Sequence, residues 1–304
     1  MTGPRGTAVA SALLLAALAA AGCGLGAGAD VGEVQLTVTR EFGAEPVLDR
    51  SLEAKESDTV MRLLEGEADV ETRYGGGYVH AIDGTAEEQR DGDPFDWFFY
   101  VDGVISQVGA AEYQLDGGER VWWDYHDWSA TNNVPAVVGS WPAPFERGIG
   151  GKRHPVVVEC AEPQACAATR QALEGEGVEV ASGEPEKAIR VLVGTWDRLR
   201  SDPTARLIED GPAESGVFAE FAGEGQLQLV GLNEDGESIE SFAPDTGLVA
   251  ATSRYGGPPV WVVTGATPAA VRAAAEALDP EHLRDHYAVA IENGKSTPLP
   301  LEGR

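Results

Sequence analysis

Between Glu33 and Trp128 the chain alternates apolar and polar positions in short runs, and the alternation is broken once by helical spacing. In EVQLTVTREFG, Val34, Leu36 and Val38 alternate with polar neighbours, which predicts a half-buried strand, and EPVLDRSLEA follows as its hairpin partner. SDTVMRLLEGEA then puts Val60, Leu63 and Leu64 on one helical face, with Ser57 or Asp58 as the cap. RYGGGYVHAIDG reads as a glycine-rich turn plus strand. DWFFYVDGVISQ reads as a hairpin around Asp102-Gly103, and GERVWWDYHDW as a closing strand after the turn at Asp116 to Gly118. The order β-β-α-β-β-β over residues 33–128 predicts a sheet wrapped around one helix, the β-grasp arrangement.

Alternation also sorts the aromatic residues. On the closing strand Val121, Trp123 and Tyr125 share one side, with Trp122, Asp124, His126 and Trp128 on the other; on the hairpin Trp97, Phe99 and Val101 lie opposite Phe98 and Tyr100. One side of such a sheet suffices to cover the helix, so the second aromatic face requires a partner. Three are open: the apolar stretch that follows, a second domain, or a ligand stacked on the rings. The candidate ligand-binding residues are Trp97, Tyr100, Trp122, His126 and Trp128. The His126 imidazole would ligate a corrin metal or haem iron, or face solvent from the strand.

Residues 129–154 are rich in proline and glycine and lack periodicity, which marks an inter-domain linker; its apolar VPAVVGSWPAPF is expected to lie extended against a domain surface. From Pro155 the pattern changes to strand–helix units. PVVVEC, VEVAS and AIRVLVGTW read as strands around the helix QACAATRQALEGEG, and PPVWVVTG and HYAVAIENG as strands flanking a helix capped by Thr267 with Pro268 in its first turn. Between them GVFAEF, QLQLVGLNEDGES and GLVAATSRYGG read as an antiparallel meander with a turn at Asn233 to Gly236. The two ends are either halves of a weak internal repeat or one layered α/β domain. The predicted class is thus α+β, a β-grasp-like N-terminal domain followed by an α/β domain over 155–304 of no recognised family. Trp196 and Tyr255-Gly256-Gly257 fall at strand ends, where open α/β sheets leave crevices for ligands.

The segments TVMRLL, GGGYVHAIDG, DWFFYVDG and VGAAEYQLDGGERVWWDYHDW together resemble a bacterial domain family related to the C-terminal domain of transcobalamin and intrinsic factor, the vitamin B12 carriers. Trp97, Tyr100, Val101 and Gly103 fall on that family's hairpin pattern. Gly109, Tyr113, Asp116 and Gly117 fall on its next turn, and Val121, Trp123 and Tyr125 on its closing strand. The resemblance covers about residues 33 to 128 and implies a β-grasp-like domain with a vitamin-like or corrinoid ligand, so cobalamin or a relative is the ligand it suggests; no other cofactor is expected.

Composition narrows the function classes. Fifty acidic residues against 22 basic ones give a net charge of −28, which argues against nucleic acid as a partner. The first 23 residues, MTGPRGTAVASALLLAALAAAGC, read as an export signal whose Ala20-Ala21-Gly22-Cys23 ending resembles a lipobox. Acylated Cys23 would anchor the protein to the extracytoplasmic face of the cell membrane through residues 24–32, a flexible tether. Cys160 and Cys166, exported to an oxidising compartment, are expected to form a disulfide. No hydrolase elbow, phosphate loop or dinucleotide fingerprint occurs. His282 and His286 stand at i and i+4 without a third ligand, and no metal site is assigned. The expectation is a lipid-anchored, extracytoplasmic, non-catalytic binding protein that passes a small ligand to a membrane transporter. The alternative is a cell-surface protein–protein interaction module without a small-molecule ligand.

Overall fold

The computed structural model describes residues 28–90, 92–223, 225–254 and 257–303, so the expected leader, Cys23 and residues 24–27 of the expected tether lie outside the described residues. Among the described residues no helix is long and apolar enough to cross a membrane. The chain is α+β, with mixed sheets and short helices.

The N-terminal half opens with the hairpin β1 (Asp30–Arg40) and β2 (Glu45–Lys55), then α1 (Val60–Glu67). Thr59, rather than Ser57 or Asp58, caps α1: its hydroxyl accepts from the Arg62 amide at 3.3 Å, while Asp58 accepts from the Lys55 amide. The predicted glycine-rich turn separates β3 (Val70–Arg73) from β4 (Tyr78–Ile82), which form a small sheet with β5 (Thr85–Ala86). β6 (Glu88–Arg90), β7 (Asp93–Val101), β8 (Val104–Ile105) and β9 (Arg120–Asp127) complete the half. Asp102 and Gly103 take φ of 51° and 79°, the left-handed pair that a two-residue hairpin turn needs. The main sheet runs β2-β1-β9-β7-β6, with β8 paired to β7 and β1 parallel to β9. Its inner face carries Val34, Leu36, Val38, Trp97, Val121, Trp123 and Tyr125 onto Val60, Leu63 and Leu64 of α1.

The second half is built on one six-stranded sheet in the order β10-β11-β16-β15-β17-β18. β10 (Val156–Cys160), α3 (Pro163–Gly175) and β11 (Ile189–Thr195) form a strand–helix–strand unit; the short helix α2 (Ala143–Arg147) precedes it, and α4 (Trp196–Leu199), a 3-10 turn at Ala205–Asp210 and α5 (Pro212–Ser215) follow. VEVAS forms a single bridge, Val156 to Val180, in place of the expected strand. β12 (Ala219–Ala222), β13 (Gln228–Leu232) and β14 (Ser238–Ser241) are the meander. β15 (Gly247–Thr252), expected to continue it, instead enters the main sheet between β16 (Val260–Gly265) and β17 (Ala288–Glu292), because all six of its residues are buried and so need cover on both faces. α6 (Pro268–Glu276), capped by Thr267 as predicted, and α7 (Pro280–Leu283) precede β17; β18 (Lys295–Leu299) is the edge. Val191 and Val193 face α3 and α6 while Leu192 faces the meander side, so alternation fills two cores from one strand. A disulfide joins Cys160 and Cys166, whose Cα atoms are 5.7 Å apart.

Residues 129–154 are not a surface strap. Trp141 and Phe145 pack on Trp261 inside the second half's helical-side core, Val134 and Val137 enter the seam between the halves, and Ala136 bridges to Val104. α2 also reaches back: Arg147 meets Asp102 at 3.3 Å and Glu119 at 3.7 Å, both carboxylates being buried.

Two glycines let the halves meet. A Cβ on Gly43 (φ +90°) would lie 1.9 Å from the Asp285 carbonyl oxygen, and one on Gly139 would lie 2.7 to 2.9 Å from backbone atoms of Asp285 and His286. Gly139→Ala is therefore expected to cost about 1–3 kcal/mol by overpacking, read as a lower urea midpoint, whereas Gly66→Ala on α1, with open space around it, is expected to leave the midpoint unchanged or raise it.

Burial pushes the Asp102 carboxyl up to about 6, against the weaker pull of the Arg120 amide and of Arg147. The folded state thus holds this proton more tightly than the unfolded chain, whose aspartates titrate near about 4. Its contribution to stability is fully present below about pH 4 and is lost as pH rises to about 6, by on the order of 3 kcal/mol. Asp102→Asn is expected to flatten that part of the pH–stability curve; an unchanged slope would refute the assignment.

Candidate functional site

The aromatic face left over by the sequence pattern is covered by protein. Tyr100, Trp122 and His126 point away from the α1 core into a seam shared with Phe42 of the β1–β2 turn and Phe218 and Tyr287 of the second half. At its centre the Asp124 carboxylate, fully buried, accepts from the amides of Phe42 (3.1 Å) and Gly43 (3.0 Å), from the Thr39 hydroxyl and from the Tyr287 hydroxyl (3.2 Å). His126 Nδ1 lies 2.8 Å from the same carboxylate and its ring stacks on Phe98, while the Trp122 indole N–H donates to Thr39. Burial, followed by the Asp124 charge, raises the Tyr287 phenol well above its ordinary value, so it stays a neutral donor.

Of the five candidate residues, Trp97 is inside the N-terminal core with its indole N–H donating to the Thr85 carbonyl at 2.9 Å. Tyr100, Trp122 and His126 are at most 2 % exposed in the seam. An imidazole so enclosed has no open side toward a corrin metal or haem iron. Trp128 is half-buried beyond the end of β9 and bonds through its amide to Pro94. Trp196 is buried against Phe221 with its N–H on Glu209, and Tyr255 and Gly256 lie outside the described residues. His282 is held by Asp279 and the Gly294 carbonyl, and α7 ends before His286, so the two imidazoles do not share a helix face.

The space between the halves opens beside this seam, as a cleft of about 700 Å³. One wall is the β7–β8 hairpin and the loop after it, with Val101, Val104, Ile105, Val108 and Tyr113. A second is the connecting segment, with Asn132, Asn133, Pro135 and Ile149; the third is Leu207, Ala213 and Glu214, together with Ser253, Arg254 and Gly257 after β15. The walls are pinned. The Ile105 amide donates to the Pro135 carbonyl and the Val137 amide to Gly103, zipping the hairpin to the connecting segment. Thr131 bonds both ways with the Asn133 backbone, and the left-handed Gly216 at the end of α5 presses so closely on Val134 and Pro135 that a Cβ there would approach to 2.7 Å. Behind Tyr113 lie Asp102, Glu119 and Asp116; burial first and then these charges push its phenol up, leaving it a neutral hydroxyl at the cleft wall. Glu119 Oε2 is buried without a hydrogen-bond partner among the described residues.

A second grouping spans the halves on another side. Asp93, Asp127 and Asp235 bring carboxylate oxygens within 4.8 Å of one another, with Asp127 buried. Burial, then the charges of Asp235, Glu41, Asp127 and Asp93, raise the neighbouring Glu234 carboxyl. Hard oxygens of this kind suit Ca²⁺ or Mg²⁺, but three fall short of the six or so that either ion takes.

Sequence reasoning missed the cleft because its lining is contributed by four separated segments, each unremarkable alone. Of the lining, the sequence pattern points to Val101 on the hairpin, Tyr113 on the turn that follows and Gly257, and to none of them as part of a shared opening.

A family model described as a domain of unknown function (DUF4430) matches residues 57–127, the segment from the start of α1 to the end of β9. No curated protein matches the chain. Among solved structures, a crystal structure from Ruminococcus gnavus ATCC 29149, described as "a putative metal binding protein", is similar over 32% of this chain and 97% of its own, at 16% identity and a TM-score of 0.25.

Proposed function

We propose that the protein is a non-catalytic binding protein whose ligand occupies the cleft between its two halves, held at the extracytoplasmic membrane face by a lipid on Cys23. The observation that carries the reading is the cleft itself. Its volume of about 700 Å³ falls within the range of small-molecule sites, and a mainly apolar lining with a few polar groups is the usual composition of such sites. The order β2-β1-β9-β7 with a central parallel pair supports a β-grasp N-terminal domain, and the resemblance to the transcobalamin C-terminal family makes a vitamin-like or corrinoid molecule the first ligand to try. Delivery to a membrane transporter is the role that fits an anchored capture protein. A protein-interaction role through the aromatic face would need a different surface, since Trp122 and His126 are enclosed.

Corrins absorb where tryptophan emits, so binding quenches fluorescence without ring contact. Titration of the soluble chain lacking its leader with cobalamin is expected to give saturable quenching at micromolar concentration, and Val108→Arg at the cleft mouth to weaken it at least about tenfold, or about 1.4 kcal/mol. Absence of quenching by cobalamin and its relatives would remove the corrinoid.

The anchor is tested separately: a palmitate analogue is expected to label the full chain in cells and to leave Cys23→Ala unlabelled. Label persisting on Cys23→Ala would remove the lipid.

A further inference from the structure

We infer that the cleft selects an apolar ligand carrying a single anionic group, such as a carboxylate, and that Arg254 is the residue that holds it. The inference rests on the cleft being the binding site and adds the chemical class of what enters it. Among the described residues Arg254 is the one basic residue on the walls, and the acidic residue there, Glu214, makes no ion pair with it. Like several other arginines of the described residues, Arg254 enters no ion pair within 4 Å; what distinguishes it is its place on the cleft wall. Arg254 is exposed and lines the cleft beside Ser253, on the loop after β15.

The remainder of the lining divides by chemistry. Val104, Ile105, Val108 and Leu207 provide apolar surface without a formal charge, and Asn132 and Asn133 add carboxamides that donate as well as accept. A guanidinium matches a carboxylate with two parallel N–H···O bonds, and a site that encloses the rest of the ligand in apolar side chains strengthens that pair by excluding water. The surrounding chain works against anions at long range, because its net charge is −28. An anion is therefore not drawn in by the general field; it is retained by local contact with Arg254, and only if its apolar body fills the cleft. Tyr113, kept neutral by burial and by the acids behind it, is a hydroxyl partner for a neutral part of the ligand and a poor neighbour for its charged end.

Two dyes of similar shape separate the parts of the inference. 1-Anilinonaphthalene-8-sulfonate carries one negative charge, and N-phenyl-1-naphthylamine carries none; both brighten in apolar sites. Each is titrated into the soluble chain lacking its leader, into Arg254→Gln, and into Ala213→Trp, which fills the cleft from an exposed position on α5. Urea unfolding of each variant confirms that it is folded. The expected result is that both dyes bind the parent chain, that Ala213→Trp abolishes both, and that Arg254→Gln weakens the sulfonate about fivefold or more while the neutral dye changes less than about twofold. If the neutral dye alone binds, or if Arg254→Gln affects the two dyes equally, the anion inference is overturned and the cleft as a binding site stands. If neither dye binds, or if Ala213→Trp leaves both, the cleft itself is overturned and the inference goes with it.

Discussion

Asp124 is the residue on which the arrangement of the two halves depends. It sits on the outward face of the closing strand, has no exposure to solvent, and gathers donors from the β1–β2 turn and from Tyr287 on the far side of the seam. A buried carboxylate is tolerated only where hydrogen bonds replace its lost hydration. Here those bonds come from residues 39–43 and from Tyr287, so satisfying the charge fixes β9, the β1–β2 turn and the second half relative to one another. The aromatic rings around it exclude water and supply area; the carboxylate supplies direction. Without the second half, Phe42, Tyr100 and Trp122 would present an apolar patch to solvent, which a soluble chain seldom maintains.

That fixed seam is what makes a cleft stable next to it. Gly43, Gly139 and Gly216 allow backbone to approach backbone where a side chain would not fit, and the connecting segment is pinned to the hairpin by ladder-like bonds. Walls held in this way retain their spacing without a ligand, so little ordering cost is added on binding. The Asp93, Asp127 and Asp235 grouping acts in the opposite sense. It places like charges on both sides of the junction, and their repulsion subtracts from the stabilisation gained at Asp124.

Much of this was legible in the residues themselves. Alternation assigned Trp97, Val121, Trp123 and Tyr125 to one core and Tyr100, Trp122 and His126 to the other side, and both assignments hold in the packing. Thr267 with Pro268, and Asp102 with Gly103, marked their helix start and turn because each is set by local backbone chemistry. Three features were not legible. Thr59 displaced Ser57 and Asp58 as cap, a shift of one or two residues that depends on where the preceding strand ends. β15 reads like its meander neighbours in sequence, and only pairing across the sheet with β16 and β17 separates it from them. Residues 129–154 look like a linker because proline and glycine interrupt periodicity, yet Trp141 and Phe145 are core residues whose burial follows from contacts with Trp261, more than a hundred positions later.

The same limit explains why the proposed site lies away from the conspicuous aromatic cluster. Large rings at high density are good at closing an interface, since each buries much area with few torsions to freeze. A surface able to pack so well on a neighbouring domain does so, and is then full. An opening survives where the two halves stop matching in shape, and there the lining is a mixture of small, branched and amide side chains from whichever segments reach the rim. Such residues carry no signature in one dimension because none of them is selected for packing with its neighbours in sequence. In a chain whose aromatic residues hold the domains together, a ligand is therefore to be sought beside the cluster, at the edge of the contact it creates.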